Sequence, residues 1–267
     1  MHELPLLIFT LFVQGSVGIT LWTGLGRINA MGTPDPRRHL LPAAAGAFIL
    51  ASLGLLASAL HMGYPLNAFN ALRHVASSWL SREIVFASLY LAALGLAILL
   101  LFAKKPGWKA LLVLAGAIGL VDVFCMAQIY MHASVVTWQH ANTLVLFFGS
   151  VGIIGSACVM AGSQSRNGVR LAVALVSLLV LLRLVMQPVW MADIAAADTS
   201  VVTFPHQPLQ MLAQLRDVYL LSWCVSVAGM VCFAAGGLKR ARGLLLSGSV
   251  LLIIGELMLR FVFFSIG

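Results

Sequence analysis

The chain has 267 residues, 61% of them hydrophobic and only 9% charged, too little polar material to cover the surface of a soluble globular enzyme. Its formal charge of +8 would suggest nucleic acid in a soluble protein. Here the basic residues are sorted by connection, which argues for membrane topology and for no nucleic-acid partner.

Apolar runs near 4–25, 42–61, 83–103, 110–131, 141–161, 171–192, 214–235 and 243–264 each reach the roughly 20 residues needed to cross about 30 Å of hydrocarbon. They predict an all-α integral membrane protein, a bundle of eight transmembrane helices making a single domain over 1–267. The first run begins after His2 and Glu3 with no basic n-region and no small-residue cleavage site, so it is expected to be a retained span. Alternate connections carry the positive charge: Arg27, Arg37 and Arg38, then Lys104, Lys105 and Lys109, then Arg166 and Arg170, then Lys239, Arg240 and Arg242. The positive-inside rule places these in the cytoplasm and both termini on the periplasmic side.

The outward connections are chemically richer. His61 to Glu83 reads HMGYPLNAFNALRHVASSWLSRE, concentrating polar groups between two apolar runs. Gly63, Tyr64 and Pro65 signal a turn. After it, Leu66, Phe69, Leu72, Val75 and Trp79 recur at helical spacing, which predicts an interfacial amphipathic segment near 66–80, apolar side on the lipid bilayer. Ser81 is expected to cap the next helix, with Arg82 and Glu83 in its first turn, where the helix dipole favours a carboxylate. The connection over 193–213 holds Asp193, Asp198, His206 and two prolines without a basic residue.

Inside the spans, Cys125, Cys158, Cys224 and Cys232 stand singly and read as small core residues. Gly15, Gly18, Gly116, Gly119, Gly149, Gly152 and Gly155 would let helix backbones approach closely. No internal repeat of the inverted-transporter kind is visible.

Six of the seven histidines, His2, His61, His74, His132, His140 and His206, fall at outward helix ends or in outward connections. Imidazole and carboxylate at a water–lipid boundary suit a reaction in which a lipid-soluble molecule gives up protons, and quinol oxidation is one. His61 and Glu83 lie at the right depth. A second set, Asp122, Arg183 and Glu256, lies about 18 Å into the membrane at roughly 1.5 Å per residue, with Glu256 one turn before Arg260. Such groups must pair or line a wet cavity, and they offer an ion-pair lock between helices, a proton path or quinone-pocket wall, or the site of a proton-coupled or anion transporter. No histidine lies deep in a span, so no haem and no metal site are expected.

Several segments together resemble the DmsC-like membrane anchors of the dimethyl sulfoxide reductase family of molybdenum enzymes: HELPLLIFT at 2–10, LHMGYPLNAFNAL at 60–72, SWLSREI at 78–84, the Tyr130 to Trp138 segment ending in VTW, and GELMLRFVFF at 255–264. The likeness runs through the whole chain and departs from the family in the 193–213 connection and at Gln128. It implies a multi-pass protein of the bacterial inner membrane that binds menaquinol, holds no haem, and passes electrons to a four-cluster iron–sulfur subunit. That subunit feeds a catalytic subunit carrying a molybdenum bis-pterin guanine dinucleotide (molybdopterin) cofactor. The family's quinol-site histidine and glutamate fall on His61 and Glu83. The expected site therefore has Glu83 and His61 accepting or relaying protons, Asn70, Arg73, Trp79 and Ser81 shaping the pocket, and Tyr130, Arg216 and Arg260 approaching the same face.

Overall fold

The first helix sits at the centre of the protein rather than at its edge: α1 (Leu4–Gly24) buries most of its length against four other spans. In the computed structural model, residues 4–25, 37–61, 70, 72–160, 165–198 and 208–266 are described. The helices that follow are α2 (Arg37–His61), α3 (Trp79–Phe102), α4 (Trp108–Met131), α5 (Asn142–Met160), α6 (Arg166–Asp198), the short α7 (Pro208–Gln214), α8 (Arg216–Lys239) and α9 (Arg242–Ser265). All but α7 are long and apolar enough to cross a membrane, as the sequence predicts, and there is no strand among the described residues. With eight crossings, the face where α1 begins is also the face where α9 ends; this is called the terminal face below.

The chain divides into two four-span groups. In the first, α1 packs on α2 and α4, and α3 packs on α2 and α4; in the second, α5 packs on α6 and α9, and α8 packs on α6 and α9. The groups meet where α1 lies along α5, flanked by α4 on α5 and α9 on α1. Exchanging α1 with α5, α2 with α6, α3 with α8 and α4 with α9 maps this pattern onto itself. The sequence carries the same correspondence at one constant spacing: Gly15-Ser16-Val17-Gly18-Ile19 recurs as Gly149-Ser150-Val151-Gly152-Ile153, Arg82-Glu83 as Arg216-Asp217, and Asp122 as Glu256. The halves are a parallel repeat, so a search for the inverted arrangement misses it.

At the α1–α5 crossing, Gly18 and Gly155 bring backbone to backbone: a Cβ on Gly155 would stand 2.6 Å from the Cα of Gly18. Between helices in lipid the association is driven by packing, which makes this glycine contact the centre of the seam.

Two boundaries differ from the sequence reading. The third span opens at Trp79, capped by Ser78, whose side chain accepts from the Ser81 backbone N–H at 3.4 Å; Ser81 is buried one turn in, and Glu83 stands in the second turn instead of the first. The sixth span runs well past 192 to Asp198, straight through Pro188. Proline removes one intrahelical hydrogen bond, and docking on the terminal face holds the extension. The Trp190 indole N–H donates to the Thr137 carbonyl at 3.1 Å, Asp193 pairs with His140 at 3.0 Å, and Trp190 and Ile194 pack with Leu212, Val262 and Ile266. The connection expected over 193–213 is thus largely helical at its two ends. Residues 199–207, including Pro205 and His206, lie outside the described residues, as do 62–69 and 71 of the amphipathic stretch. Within that stretch Leu72–His74 form a single 3-10 turn.

Candidate functional site

Glu83, Ala87, Tyr90 and Leu94 share one buried face of α3, and Ser81, also buried, projects from another side of the helix. The approach from the terminal face is shaped by Arg82, whose guanidinium folds back to donate to the carbonyls of Val75 (2.9 Å) and Ala76 (2.6 Å) while lying 4.3 Å from the centre of the Trp79 ring. Those bonds satisfy the turn that delivers the backbone into α3. They also turn the charge of Arg82 away from Glu83, which forms no ion pair among the described residues although it is only 5% exposed. Trp79 meets Phe124 edge-on at 5.9 Å and His132 at 5.8 Å, closing an aromatic wall over the outer end of the α3–α4 interface. The His132 ring shares a hydrogen with the Gln128 carbonyl at 2.9 Å.

Of the residues picked from sequence, Trp79, Ser81 and Glu83 all lie in the first two turns of α3, Trp79 and Glu83 one turn apart on the same face and Ser81 on another. His61 is the last residue of α2, which packs on α3; its side chain lies outside the described residues. Asn70 and Arg73 are exposed. Tyr130 belongs to an aromatic cluster with Trp138, Phe147, Phe263 and Phe264 at the seam between the halves. Arg216 opens α8 in the second half and is exposed; it is the repeat counterpart of Arg82, in the other half from Glu83. Arg260 is buried at the seam, donating to Gln14 of α1 (2.7 Å) and Ser150 of α5 (3.0 Å) and lying 4.1 Å from the centre of the Phe147 ring.

The deep set splits in two, which corrects its reading as one group. Arg183 and Glu256 form a buried ion pair joined by Ser150, whose hydroxyl donates to Glu256 at 2.6 Å, while Arg183 also donates to the Leu146 carbonyl at 2.7 Å. Gly149 leaves the room for that guanidinium, since a Cβ there would stand 2.6 Å from Arg183 Nε. Asp122 takes no part: neither of its oxygens has a hydrogen-bond partner among the described residues, and it interacts electrostatically with Glu83 instead. The transporter reading, which needs the three together, loses its site.

Sequence reasoning passed over Gln14, Ser16, Thr20 and Tyr90. The Tyr90 hydroxyl hydrogen-bonds with those of Ser16 (2.6 Å) and Thr20 (2.9 Å), Ser16 donates to the Ala47 carbonyl, and Gln14 donates to the Met126 sulfur at 3.6 Å. The available signal was rarity: Gln14 is the single amide in its span, and polar groups in lipid must find partners.

Among the described residues no three His, Cys, Asp or Glu side chains gather as metal ligands do. His132 is bonded to Gln128, and His140 is held on both ring nitrogens, by the Asn142 backbone N–H at 2.9 Å and by Asp193. A reduced-minus-oxidised visible spectrum of the purified protein is expected to show no b-type haem band; a band at haem stoichiometry would contradict this.

The fold and this buried polar interface define a polytopic helical membrane protein with a buried carboxyl group near one membrane face. A model of the family described as DMSO reductase anchor subunit (DmsC) matches residues 1–266, and the chain belongs to that family. It is 30% identical over 284 residues to the YnfH polypeptide of anaerobic dimethyl sulfoxide reductase from Escherichia coli (strain K12), covering 99% of this chain and 95% of the relative. It is 30% identical over 281 residues to the C polypeptide of anaerobic dimethyl sulfoxide reductase from the same organism, with the same coverage. A third relative, the C polypeptide of the Haemophilus influenzae reductase, is 30% identical over 58% of this chain. No solved structure matches. The protein is thus a multi-pass membrane anchor subunit of the bacterial inner membrane, with catalytic and electron-transfer partners.

Proposed function

We propose that this anchor oxidises menaquinol at the outer end of the α3–α4 interface, with Glu83 as the proton acceptor and His61 relaying between it and water. The single observation that carries this is Glu83 itself: a carboxylate buried beside the aromatic wall of Trp79 and Phe124, one to two turns into a span, with the nearest arginine turned away to backbone carbonyls. Charge at that depth is costly, so a proton taken from a quinol hydroxyl removes a penalty that a solvated carboxylate would not have. The indole of Trp79, one turn before Glu83 on the same face of α3, offers a flat apolar face to a quinone ring.

The electrons go to a partner subunit with four iron–sulfur clusters and from there to the molybdopterin subunit that reduces the terminal acceptor. The relatives' names, which make them parts of anaerobic dimethyl sulfoxide reductase, support that assignment. Glu83→Gln keeps shape and hydrogen bonding but cannot take up a proton. In the assembled complex it is expected to lower quinol-analogue oxidation by about a hundredfold while co-purification with the electron-transfer subunit is unchanged. Full turnover in an assembled Glu83→Gln complex would overturn the reading.

A further inference from the structure

The parallel repeat allows each half to be read against the other. In the second half the deep carboxylate, Glu256, is neutralised by Arg183 and fixed by Ser150. In the first half its counterpart, Asp122, has no solvent exposure and no hydrogen-bond partner among the described residues. The span that corresponds to α6 is α2, and between Leu40 and Ala59 it contains no charged residue. Ser16, the counterpart of Ser150, is engaged by Tyr90 and Ala47. One half holds its acid with a cation; the other keeps an acid that no ion pair balances among the described residues.

The α3–α4 interface says what lies next to that acid. Trp79 meets Phe124 at its outer end, and deeper in, Tyr90 stands 3.2 Å from where a Cβ on Gly119 would be. The helices are antiparallel, so Glu83 and Asp122 occupy the rung between these two contacts, which agrees with their electrostatic interaction. Other groups facing Asp122 are Tyr90 from α3 and Cys125 from its own helix. From α1, the neutral Ser16 and Thr20 bond to Tyr90 and the neutral Gln14 to Met126, and α5 has no charged residue. Arg82 is held on the carbonyls of Val75 and Ala76, and Arg260 donates to Gln14, which in turn donates to Met126.

We infer that Asp122 holds the second proton of each turnover: Glu83 takes one proton from the quinol, passes it inward to Asp122, and is then free to take the other. This rests on the quinol reading of Glu83. Each quinol loses two protons and two electrons as it becomes quinone. The protons reside on Asp122 and Glu83 and leave by the Glu83 end, and the electrons go to the iron–sulfur acceptor of the partner subunit. Two acids on one rung suit this, because filling both cancels two charges at a depth where neither forms an ion pair among the described residues.

The test compares Asp122→Asn with Glu83→Gln in the assembled complex, following oxidation of a soluble quinol analogue across pH and the redox-induced infrared difference spectrum. Asp122→Asn is expected to leave the analogue's Kd unchanged and to slow turnover by about tenfold. It should also reduce the pH profile from two ionisations to one and remove a protonated-carboxyl band; Asp122→Glu should shift that band and restore most of the rate. If Glu83→Gln is slow while Asp122→Asn keeps the wild-type rate, pH profile and band, the inference fails and the quinol reading stands. If Glu83→Gln has no effect, both fall. Where Asp122→Asn does not assemble, Asp122→Glu decides: a carboxyl band that moves with the substitution supports the inference, and an unmoved band overturns it.

Discussion

Glu256→Gln is expected to remove most of the folded protein from the membrane. Arg183 is 1% exposed and Glu256 3%, and breaking a buried pair by removing one partner costs about 3–5 kcal/mol because the other charge stays behind. Here two charges stay behind. Arg183 and Arg260 both surround Ser150, and Glu256 is the acid that interacts with both; without it they face one another with only Ser150, Gln14 and the Leu146 carbonyl as acceptors. The loss is a large share of the roughly 5–15 kcal/mol by which a domain is stable. Arg183→Met should cost less, because Arg260 remains to balance Glu256. Thermal midpoints of the detergent-solubilised protein, read by fluorescence-detected size exclusion, check the order: wild type, then Arg183→Met, then Glu256→Gln lowest. Equal midpoints for Glu256→Gln and wild type would mean that the pair contributes nothing to the lock between α6 and α9.

The ion pair also shows where sequence reading stops. Number, length and order of the spans are legible because a run of some 20 apolar residues has few other uses, and a scarce glutamate at a span's outer end marks Glu83 as a candidate, which the fold buries. Pairing was not legible. Asp122, Arg183 and Glu256 share one depth, and depth alone cannot say that α6 packs on α8 and α5 while α4 packs on α3, so the three were grouped when the fold divides them. Arg216 stands before an acid at the outer start of a span, as Arg82 does, on the same face but in the other half, a separation that depth alone does not reveal. The continuation of α6 through Pro188 depended on Trp190 and Asp193 meeting Thr137 and His140 from a connection some fifty residues away, contacts that no local pattern encodes. The parallel repeat was legible in principle, since Gly-Ser-Val-Gly-Ile stands twice in the sequence.

Within that repeated word lies the second large effect. Gly155→Leu is expected to prevent the halves from seating, and Gly18→Leu likewise, because each would drive a side chain into backbone. A Cβ at Gly18 would stand 2.8 Å from the Gly155 Cα, and one at Gly155 2.6 Å from the Gly18 Cα and carbonyl carbon. Ordinary overpacking costs about 1–3 kcal/mol because side chains can shift; two helix backbones cannot shift without parting α1 from α5 along the seam. Separation would carry further than the crossing itself. Gln14, one turn before Gly18, is the group through which Arg260 of α9 is held to α1, and Ser16 and Thr20 on either side of Gly18 hold the Tyr90 hydroxyl beneath Asp122. Gly46 in α2 supplies the contrast, since nothing lies within 4 Å of a Cβ built there; Gly46→Ala should be neutral or stabilise by about 0.5–1 kcal/mol through helix propensity. Membrane yield and thermal midpoint of Gly155→Leu against Gly46→Ala measure the difference. A Gly155→Leu protein as stable as Gly46→Ala would show that the halves do not meet at this crossing, and the placement of Gln14 and Tyr90 around Asp122 would have to be sought elsewhere.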